Sequence, residues 1–366
     1  MTITIVGSGI AGSYLAYKLS KTDDKIIFLE EDEIIGIPKH CTGLVTNEIF
    51  SYEEIPQEII INHFQKAKIH VKNYSITIKV DDYLLDRVKL EQFFYNLSKV
   101  KKIKSFKVSE IIKNKQGYII SDGSKKIKAT KIVGADGVKS IVRRTVFPQN
   151  EIQFYSGIQS LIKGKFNPKR YDVYLERRYS DALFGWLVPL NEKLALIGVA
   201  AYKKTHQYFK HILNDLEIKN EQVIETFGGA IPIFNPRNKV EKDNAYLIGD
   251  AAGQVKATTG GGVVQIFKAA NLLVKAINNN TSYEKLAKKE INPELKLHRK
   301  LHCFVKSLND KDYEDILKKL SDGNLLEKIS INRDSLKQGL IKIAKLALKR
   351  PALLKYFPKL LSCMMI

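Results

Sequence analysis

The sequence predicts an α/β protein in which a parallel-sheet domain carries an inserted antiparallel β-sheet domain and ends in a C-terminal helical segment. Residues 2–29 have the pattern strand, glycine turn, helix and strand, the unit that forms right-handed parallel crossovers. Residues 151–237 alternate apolar and polar residues as antiparallel strands do. The run NAYLIGD then returns to the parallel pattern, so the β-rich stretch is interpreted as an insertion.

Length and composition indicate a globular chain with more than one domain. The 366 residues are 44% hydrophobic and 27% charged, without a low-complexity tract or fixed-period repeat, which excludes a disordered or repeat protein. No stretch reaches the roughly 18 uninterrupted apolar residues of a membrane-spanning helix. Glycines interrupt any signal-peptide core near the N-terminus, so we expect a cytoplasmic protein.

The chain is strongly basic, with 60 Lys and Arg against 39 Asp and Glu and a net charge of +21. A positive field of this size attracts anionic partners, such as phosphates, nucleic acid or an acidic membrane surface. The charge alone does not indicate which of these the protein binds. Lysines spread over a solvated surface explain the charge equally well. Nucleic-acid binding rests on this charge alone, and we do not expect it.

Taken in chain order, the elements divide the sequence into three parts. The strand TITIV begins the first domain, residues 67–80 alternate like a strand pair, and Asp86 starts a helix over LLDRVKLEQFFYNLSKV. The runs KIVGADG and NAYLIGD supply two further strands. The predicted boundaries are 1–62, 82–150 and 238–284 for the parallel domain, 63–81 and 151–237 for the inserted domain, and 285–366 for a basic helical region.

A glycine-rich turn joins the first strand to the first helix. Gly7, Gly9 and Gly12 form a G-x-G-x-x-G with Ala11 inside it, a pattern that lets a pyrophosphate approach a helix N-terminus. Glu30 ends the second strand 18 residues after Gly12, where a carboxylate accepts hydrogen bonds from a ribose diol. These residues predict a Rossmann-like dinucleotide site, with a structural turn and a surface glutamate as the less favoured alternative.

Two later strand-to-turn segments indicate FAD rather than NAD, because FAD spans a second edge of the sheet and needs more chain to hold it. In YLIGDAAG, Asp250 can accept a hydrogen bond from a ribityl hydroxyl beside a helix start. In IVGADGVKS, Asp136 and Gly137 are interpreted as a turn that lets the chain pass the cofactor. Ser140 and Arg143 follow within reach of polar neighbours.

With these motifs the chain resembles the FAD-dependent flavoproteins of the hydroxylase-type glutathione-reductase-like superfamily. Within that superfamily it looks like the archaeal-type geranylgeranyl reductases, the digeranylgeranylglycerophospholipid reductase-like proteins. The resemblance covers residues 1 to about 285 and rests on GSGIAG with Glu30, LLDRVKLEQFF, GADG and IGDAAGQVKATTGGGV. It implies a Rossmann-like FAD-binding domain of three-layer ββα form, with FAD as the cofactor.

The resemblance also implies roles for particular residues in binding the cofactor. Arg87 would lie near the FAD pyrophosphate, and Asp250 would contact the cofactor. Gly253 stands where related aromatic hydroxylases tend to have a histidine. A run of glycines would pass beside the flavin ring, where only backbone can approach closely; it consists of Gly260, Gly261 and Gly262.

The stretch PKHCTGLV resembles the family's cysteine-glycine loop near the flavin, which makes Cys41 a candidate catalytic and cofactor-contacting residue. Saturating an isolated alkene requires a hydride on one carbon and a proton on the other, and a thiol can donate that proton. A small buried hydrophobe is the alternative role for this cysteine. A redox pair between Cys41 and Cys303 also stays open, although packing of Cys303 on an apolar helix face is favoured.

The three cysteines, Cys41, Cys303 and Cys363, have no metal-like spacing, so the sequence suggests neither a disulfide framework nor a metal site.

The stretch LFGWLVP resembles a substrate-site pattern of the family, and two of its positions depart from that pattern. Core packing of its tryptophan is the alternative. The predicted substrate-binding residues are Phe184, Trp186, Val188 and Pro189.

Residues 335–366 contain seven basic residues and no acidic one. Their periodicity suits an interfacial helix on an anionic membrane, although a helix packed on the protein's own core has the same spacing. We therefore expect peripheral contact with the inner membrane surface. The apolar face would consist of Leu340, Ile343 and Ala347, and the basic face of Lys342, Lys345 and Lys349.

Together these features predict an FAD-dependent oxidoreductase acting on CH-CH groups. It would reduce prenyl (geranylgeranyl) double bonds of an isoprenoid membrane-lipid precursor. An FAD-dependent monooxygenase is one alternative, against which Gly253 and the glycine run argue. A non-redox prenyl-lipid binding protein is the other, against which the intact nucleotide motif argues. The external electron donor stays open between NAD(P)H, ferredoxin and other carriers, because no second nucleotide motif is visible.

Overall fold

The computed structural model describes residues 1–22, 24–321, 332–336 and 351–364. Within those ranges the strands form three sheets of six, eight and three strands. The strands are β1 Thr2–Val6, β2 Lys25–Leu29, β3 Leu44–Thr46, β4 Ile60–Val71, β5 Tyr74–Leu85, β6 Lys101–Ile103, β7 Glu110–Asn114, β8 Gly117–Ser121, β9 Lys126–Ala129, β10 Lys131–Gly134, β11 Phe154–Lys163, β12 Arg170–Tyr174, β13 Gly185–Pro189, β14 Leu194–Ala201, β15 Val223–Pro232, β16 Glu241–Lys242 and β17 Ala245–Leu247.

The helices alternate with strands in the first part of the chain and follow one another after β17. They include the short helix after β10 and the terminal helix that ends the described chain. Their bounds are α1 Ile10–Leu19, α2 Arg87–Leu97, α3 Ile141–Val146, α4 Thr205–Asp215, α5 Val263–Asn278, α6 Tyr283–Glu290, α7 Asn292–Ser307, α8 Asp310–Ser321 and α9 Phe357–Met364.

The parallel sheet has the strand order β16-β17-β10-β1-β2-β6, with β1 in the middle. Val6 at the end of β1 pairs in register with Leu29 on one side and with Gly134 on the other. The carboxyl ends of these three strands are therefore level, and the turns that follow them meet at one edge of the sheet. That edge is where doubly wound folds bind their ligands.

Both faces of the parallel sheet are covered, as its apolar strands require. On one face, Tyr14 of α1 stacks on Phe267 of α5 with ring centroids 3.9 Å apart, and Phe94 of α2 meets Tyr14 edge-on at 5.0 Å. On the other face, the small sheet β7-β8-β9 contributes Tyr118 and Ile120 to a second buried cluster. This arrangement gives the predicted three-layer ββα form.

The large sheet has the order β15-β11-β14-β13-β12-β4-β5-β3, and it is mostly antiparallel. Its two chain segments join where β12 pairs in parallel with β4. Sheet pairing extends beyond the predicted segment 63–81, because the hairpin spans Ile60–Leu85 and Leu44–Thr46 adds an edge strand. The predicted fold class is confirmed: an α/β parallel-sheet domain carries an inserted antiparallel sheet. The exact domain boundaries stay a prediction.

Cys303 of α7 and Cys363 of α9 form a disulfide across 60 residues of sequence. The expectation of no disulfide and the suggested pair between Cys41 and Cys303 are therefore wrong. The pairing depends on α9 returning to pack on α7, where the Nζ of Lys300 also donates to the carbonyl of Met364 at 2.6 Å. The spacing of the cysteines in the sequence does not predict that the chain after α8 comes back to pack on α7.

The predicted interfacial helix is described only in part. Leu340, Ile343, Ala347 and the three lysines assigned to its basic face lie outside the described residues. Among the helices that are described, none is long and apolar enough to cross a bilayer.

Candidate functional site

A cavity of about 1450 Å³ extends from the carboxyl edge of the parallel sheet to the large sheet. Its volume exceeds the roughly 300–1,000 Å³ of an ordinary small-molecule pocket. At one end its wall consists of glycine turns and charged groups, and at the other of aliphatic and aromatic side chains. The cavity therefore suits a ligand set that has a large polar part and a long apolar part.

Most of the predicted site residues line this cavity. Three do not: Gly12 lies inside α1, Gly253 lies in the turn that follows Asp250, and Pro189 lies at the buried end of β13. The predicted residues on the wall are Gly7, Gly9, Ala11, Glu30, Cys41, Arg87, Asp136, Gly137, Phe184, Trp186, Val188, Asp250, Gly260, Gly261 and Gly262.

The glycine turn after β1 uses each glycine differently. Gly7 has φ +94°, a conformation that side chains disfavour. A Cβ on Gly12 would lie 1.8 Å from the carbonyl oxygen of Gly7, so this glycine lets α1 pack against the turn. A Cβ on Gly9 would meet nothing within 4 Å, and Gly9 opens onto the cavity. Backbone N–H groups at the start of α1 are thus accessible to an anion.

Glu30 is held in a fixed position at the end of β2. One carboxylate oxygen accepts from the N–H of Ser8 at 2.5 Å, and the other from the N–H of Asp32 at 2.9 Å. The side chain is buried, yet it lines the cavity beside the glycine turn. The spacing between the glycine turn and the end of the second strand predicts an acidic group at this position.

Arg87 and Asp250 form the charged part of the wall. The Nη2 of Arg87 donates to Glu91 at 2.5 Å, while its Nε has no hydrogen-bond partner among the described residues. Burial raises the pKa of Asp250 to about 6, and the Arg87 cation opposes that rise only in part. The wall thus offers a cation with an unused donor, and a carboxyl group whose pKa is raised to about 6.

Asp136 organises the turn between β10 and α3. Its Oδ2 accepts from the N–H of Ile141 at 2.7 Å and of Val142 at 3.2 Å, while Gly137 takes φ +68°. Burial is the main cause that raises the pKa of Asp136. Arg143 donates to the carbonyl of Ala251 at 3.2 Å, which ties this turn to the turn that carries Asp250.

The glycine run before α5 forms a wall of bare backbone. Gly260 has φ +68°, and the carbonyl of Gly261 accepts from the N–H of Lys256 at 3.1 Å. A Cβ on Gly261 would lie 3.3 Å from the Lys256 side chain. Larger residues would crowd both this wall and the cavity.

The loop that carries Cys41 is tied to the large sheet on both sides. The ring of His40 hydrogen-bonds to the carbonyl of Gly228 at 3.0 Å, and Thr42 donates to the Oε1 of Gln159 at 2.8 Å. The same Gln159 oxygen accepts from the indole of Trp186 at 3.4 Å. Cys41 itself is exposed, is not in a disulfide and lies on the cavity wall.

Arg87 is in electrostatic contact with Cys41. Burial alone would lower the pKa of Arg87, but the negative forms of Cys41, Glu91 and Asp250 together hold it above its ordinary value.

The predicted substrate strand β13 sends aromatic and aliphatic side chains into the cavity. Phe184, just before it, meets Trp186 edge-on with ring centroids 6.1 Å apart. Val188 is buried against Phe64 and Tyr171. Pro189 is the last residue of β13, and its carbonyl accepts a hydrogen bond from the side-chain amide of Asn62 at 3.1 Å.

Sequence reasoning missed several polar residues around the cavity. The side chains of Lys256 and Asp334 form a buried ion pair, and Thr46 donates to Asp334 at 2.8 Å. Thr258 lines the cavity and contacts His298. Lys256 and Thr258 lie inside the quoted run IGDAAGQVKATTGGGV, which was the available signal. Asp334 lies in a stretch without a motif, so only the fold brings it here.

Residues 2–316 match the family model described as lycopene cyclase protein. The chain belongs to this family. The match spans the parallel sheet, the large sheet and most of the following helices.

Individual relatives of this lycopene cyclase family member are named as reductases. The digeranylgeranylglycerophospholipid reductase of Methanococcus vannielii is 28% identical, with 98% of each chain covered. The digeranylgeranylglycerophospholipid reductase 2 of Methanothermobacter thermautotrophicus is 22% identical, with 90% of this chain and 95% of the relative covered. The predicted resemblance to geranylgeranyl reductases is therefore confirmed.

Solved structures show the same fold. A geranylgeranyl bacteriochlorophyll reductase-like protein from Thermoplasma acidophilum is 21% identical, with a TM-score of 0.80 over 98% of this chain and 99% of that one. A flavin-dependent halogenase is 13% identical, with a TM-score of 0.66 over 89% of this chain and 70% of that one. At these identities the likeness concerns the fold alone.

Proposed function

We propose that this protein is an FAD-dependent reductase that saturates prenyl double bonds of an isoprenoid lipid precursor. One observation carries the proposal: a single cavity joins a nucleotide-type wall to an apolar chamber, with Cys41 on its lining. The names of the reductase relatives support the same reaction. A flavin-dependent halogenase shares the fold, but the named sequence relatives above are reductases.

The residues present fit FAD. A dinucleotide would occupy the open space at Gly9 and accept a hydrogen bond from the unused Nε of Arg87. A flat ring would lie against the bare backbone of Gly260–262. Glu30 would hold the ribose, Arg87 the pyrophosphate and Asp250 a hydroxyl of the ribityl chain. When bound, reduced FAD supplies the hydride. The other parts of the reaction belong to this chain's own residues.

Cys41 is proposed to donate the proton that accompanies the hydride. Its loop is held by Gln159, which also orients Trp186 of the substrate strand. The Arg87 cation stabilises the thiolate that remains after the transfer. The apolar walls around Trp186 would hold the prenyl chain and exclude water from the reacting carbons.

The decisive experiment combines a visible spectrum with lipid mass spectrometry. The purified protein should be yellow or should take up added FAD. After anaerobic reduction with dithionite, it should add two hydrogens per prenyl double bond to a geranylgeranyl lipid. Addition of an oxygen atom after exposure to air would favour a monooxygenase, and a colourless protein that takes up no FAD would favour a lipid carrier.

Membrane contact is proposed for the C-terminal end of the described chain. Leu354, Phe357 and Leu361 expose 57%, 55% and 47% of their surfaces around α9. Lys355 and Lys359 lie among these apolar residues, and each pairs with an aspartate of α8 at 3.0 and 2.8 Å, so the proposed contact rests mainly on the exposed apolar side chains.

We expect the double variant Phe357→Ser, Leu361→Ser to weaken binding to phosphatidylserine-containing vesicles by at least about tenfold, because each side chain gives up on the order of 1.5 kcal/mol of burial. Vesicle sedimentation measures the loss. Ile224→Ser, at an equally exposed apolar residue of β15 (53%), is the matched control and should change nothing. Equal binding by all three proteins would contradict membrane contact through α9.

A further inference from the structure

Four residues lie in one row across the large sheet, on the face that lines the cavity. Trp186 of β13 pairs with Gly198 of β14, which pairs in turn with Gln159 of β11. Gln159 also pairs with Phe227 of β15. Residues that are paired in register project to the same face of a sheet, and the three side chains of this row all line the cavity. The row therefore runs from the predicted substrate strand to the strands that hold the Cys41 loop.

Gly198 lets the two side chains beside it meet. A Cβ on Gly198 would lie 2.5 Å from the Cζ2 of Trp186 and 2.7 Å from the Cβ of Gln159. Both distances are shorter than the roughly 3.5 Å of ordinary contacts between carbon atoms. A side chain at this position would therefore push the indole and the amide apart. Sequence reasoning missed this glycine, because its place between the two depends on the pairing of three strands.

The amide of Gln159 joins the substrate strand to the Cys41 loop through one oxygen. Its Oε1 accepts from the Nε1 of Trp186 at 3.4 Å and from the hydroxyl of Thr42 at 2.8 Å. The indole N–H can only donate, so the atom that faces it is the amide oxygen. Gln159 is only 3% exposed, and loss of its oxygen would leave both donors without that partner.

The Cys41 loop has a second anchor on the neighbouring strand β15. The Nδ1 of His40 donates to the carbonyl of Gly228 at 3.0 Å. Cys41 thus lies between two anchored residues, His40 and Thr42, and it lines the cavity. Of the two anchors, the one at Thr42 shares its partner with Trp186.

We propose that Gln159 is a positioning residue that sets the place of Cys41 relative to a prenyl chain lying against Trp186, with Gly198 providing the space for this bridge. The inference rests on the proposed reductase function. Hydride and proton have to reach neighbouring carbons of one double bond, so the thiol and the chain must keep a fixed separation. An amide that holds the indole and the thiol's loop by the same oxygen provides that separation. Gln159 takes no part in the bond changes.

Kinetics of prenyl reduction by the flavin-loaded protein test this role. Gln159→Met keeps the length of the side chain but removes the oxygen, and Thr42→Val removes the hydroxyl. We expect each to lower kcat by about 100-fold with little change in KM, because a displacement of about 1 Å can cost that much. Gln159→Glu and Thr42→Ser keep the oxygen and the hydroxyl, so they should retain most of the activity. Thermal unfolding and flavin titration confirm that each variant is folded and loaded.

The double variant Gln159→Met, Thr42→Val separates a shared role from general damage. Both changes remove the same hydrogen bond, so the double variant should be slower than wild type by about 100-fold, like each single one, and not by about 10,000-fold. Ser160→Ala is the matched control: it removes a buried hydrogen bond to Thr226 of 2.6 Å from the same strand, and it should leave kcat unchanged. Losses that multiply in the double variant would overturn the bridge, as would wild-type kinetics in Gln159→Met.

A second readout needs no flavin, because Trp186 is the only tryptophan of the chain. Gln159→Met should move its fluorescence emission to shorter wavelength, since the indole N–H loses a polar partner. The same variant should speed the alkylation of Cys41 by iodoacetamide several-fold, since the loop loses an anchor, whereas Gln159→Glu should resemble wild type in both. Unchanged emission and alkylation in folded Gln159→Met would overturn the bridge alone. A wild-type protein that reduces no prenyl lipid would instead overturn the proposed function.

Discussion

Gly9→Ala should abolish tight FAD binding while leaving the fold intact, whereas Gly12→Ala should destabilise the fold itself. At Gly9 the backbone has φ −56°, which alanine adopts freely, and the added Cβ has no neighbour within 4 Å. The methyl group would project where the pyrophosphate has to approach the backbone. A steric cost of up to about 3 kcal/mol corresponds to an affinity loss of about 100-fold.

At Gly12 the outcome differs because the obstacle lies within the protein. A Cβ there would lie 1.8 Å from the Gly7 carbonyl oxygen, so the turn or α1 has to move. We expect a loss of at least about 3 kcal/mol in the free energy of unfolding. Thermal unfolding without flavin and fluorescence titration with FAD separate the two effects. Unchanged FAD affinity in Gly9→Ala would mean that the pyrophosphate does not pass this residue.

Cys41→Ala should lower the rate of prenyl reduction by about 100- to 1,000-fold while retaining FAD. A positioned proton donor contributes about this much to a reaction that water cannot assist. Cys41→Ser should lower the rate of prenyl reduction almost as much, because a hydroxyl is a far weaker acid than a thiol. The measurement is single-turnover oxidation of the reduced flavin by a geranylgeranyl lipid under anaerobic conditions.

The other two cysteines provide the control for this experiment. Cys363→Ser opens the disulfide with Cys303 but leaves the cavity wall unchanged. We expect it to lower the unfolding temperature and to retain prenyl reduction where it stays folded. Full activity in Cys41→Ala would remove the thiol from the reaction.

The elements that sequence predicted well are those built by near neighbours along the chain. The β-branched run TITIV, the glycine turn and the helix after it appear as β1, the turn and α1. Asp86 was predicted to start a helix, and its carboxylate accepts from the N–H of Lys89 at 3.1 Å as an N-cap. Such features depend on a few consecutive residues, so a local pattern is enough to predict them.

Sheet membership was less predictable. Leu44–Thr46 is too short to show a period, and it becomes a strand because the edge of β5 offers backbone partners. The parallel pairing of β12 with β4 likewise joins segments about a hundred residues apart. The alternation of apolar and polar residues within β4 or β12 does not specify which strand each one pairs with.

Sequence by itself determined the α/β class and the nucleotide-type turn with Glu30, because these follow from local spacing, whereas the role of Arg87 came only from the family resemblance. Tertiary structure alone decided the Cys303–Cys363 bond and the contact of Thr258 with His298, which lies 40 residues further along the chain. Those pairs form only when α7 packs against the glycine run and α9 packs on α7. Contacts between distant segments depend on the packing of whole elements, and that packing leaves no periodic trace in the chain.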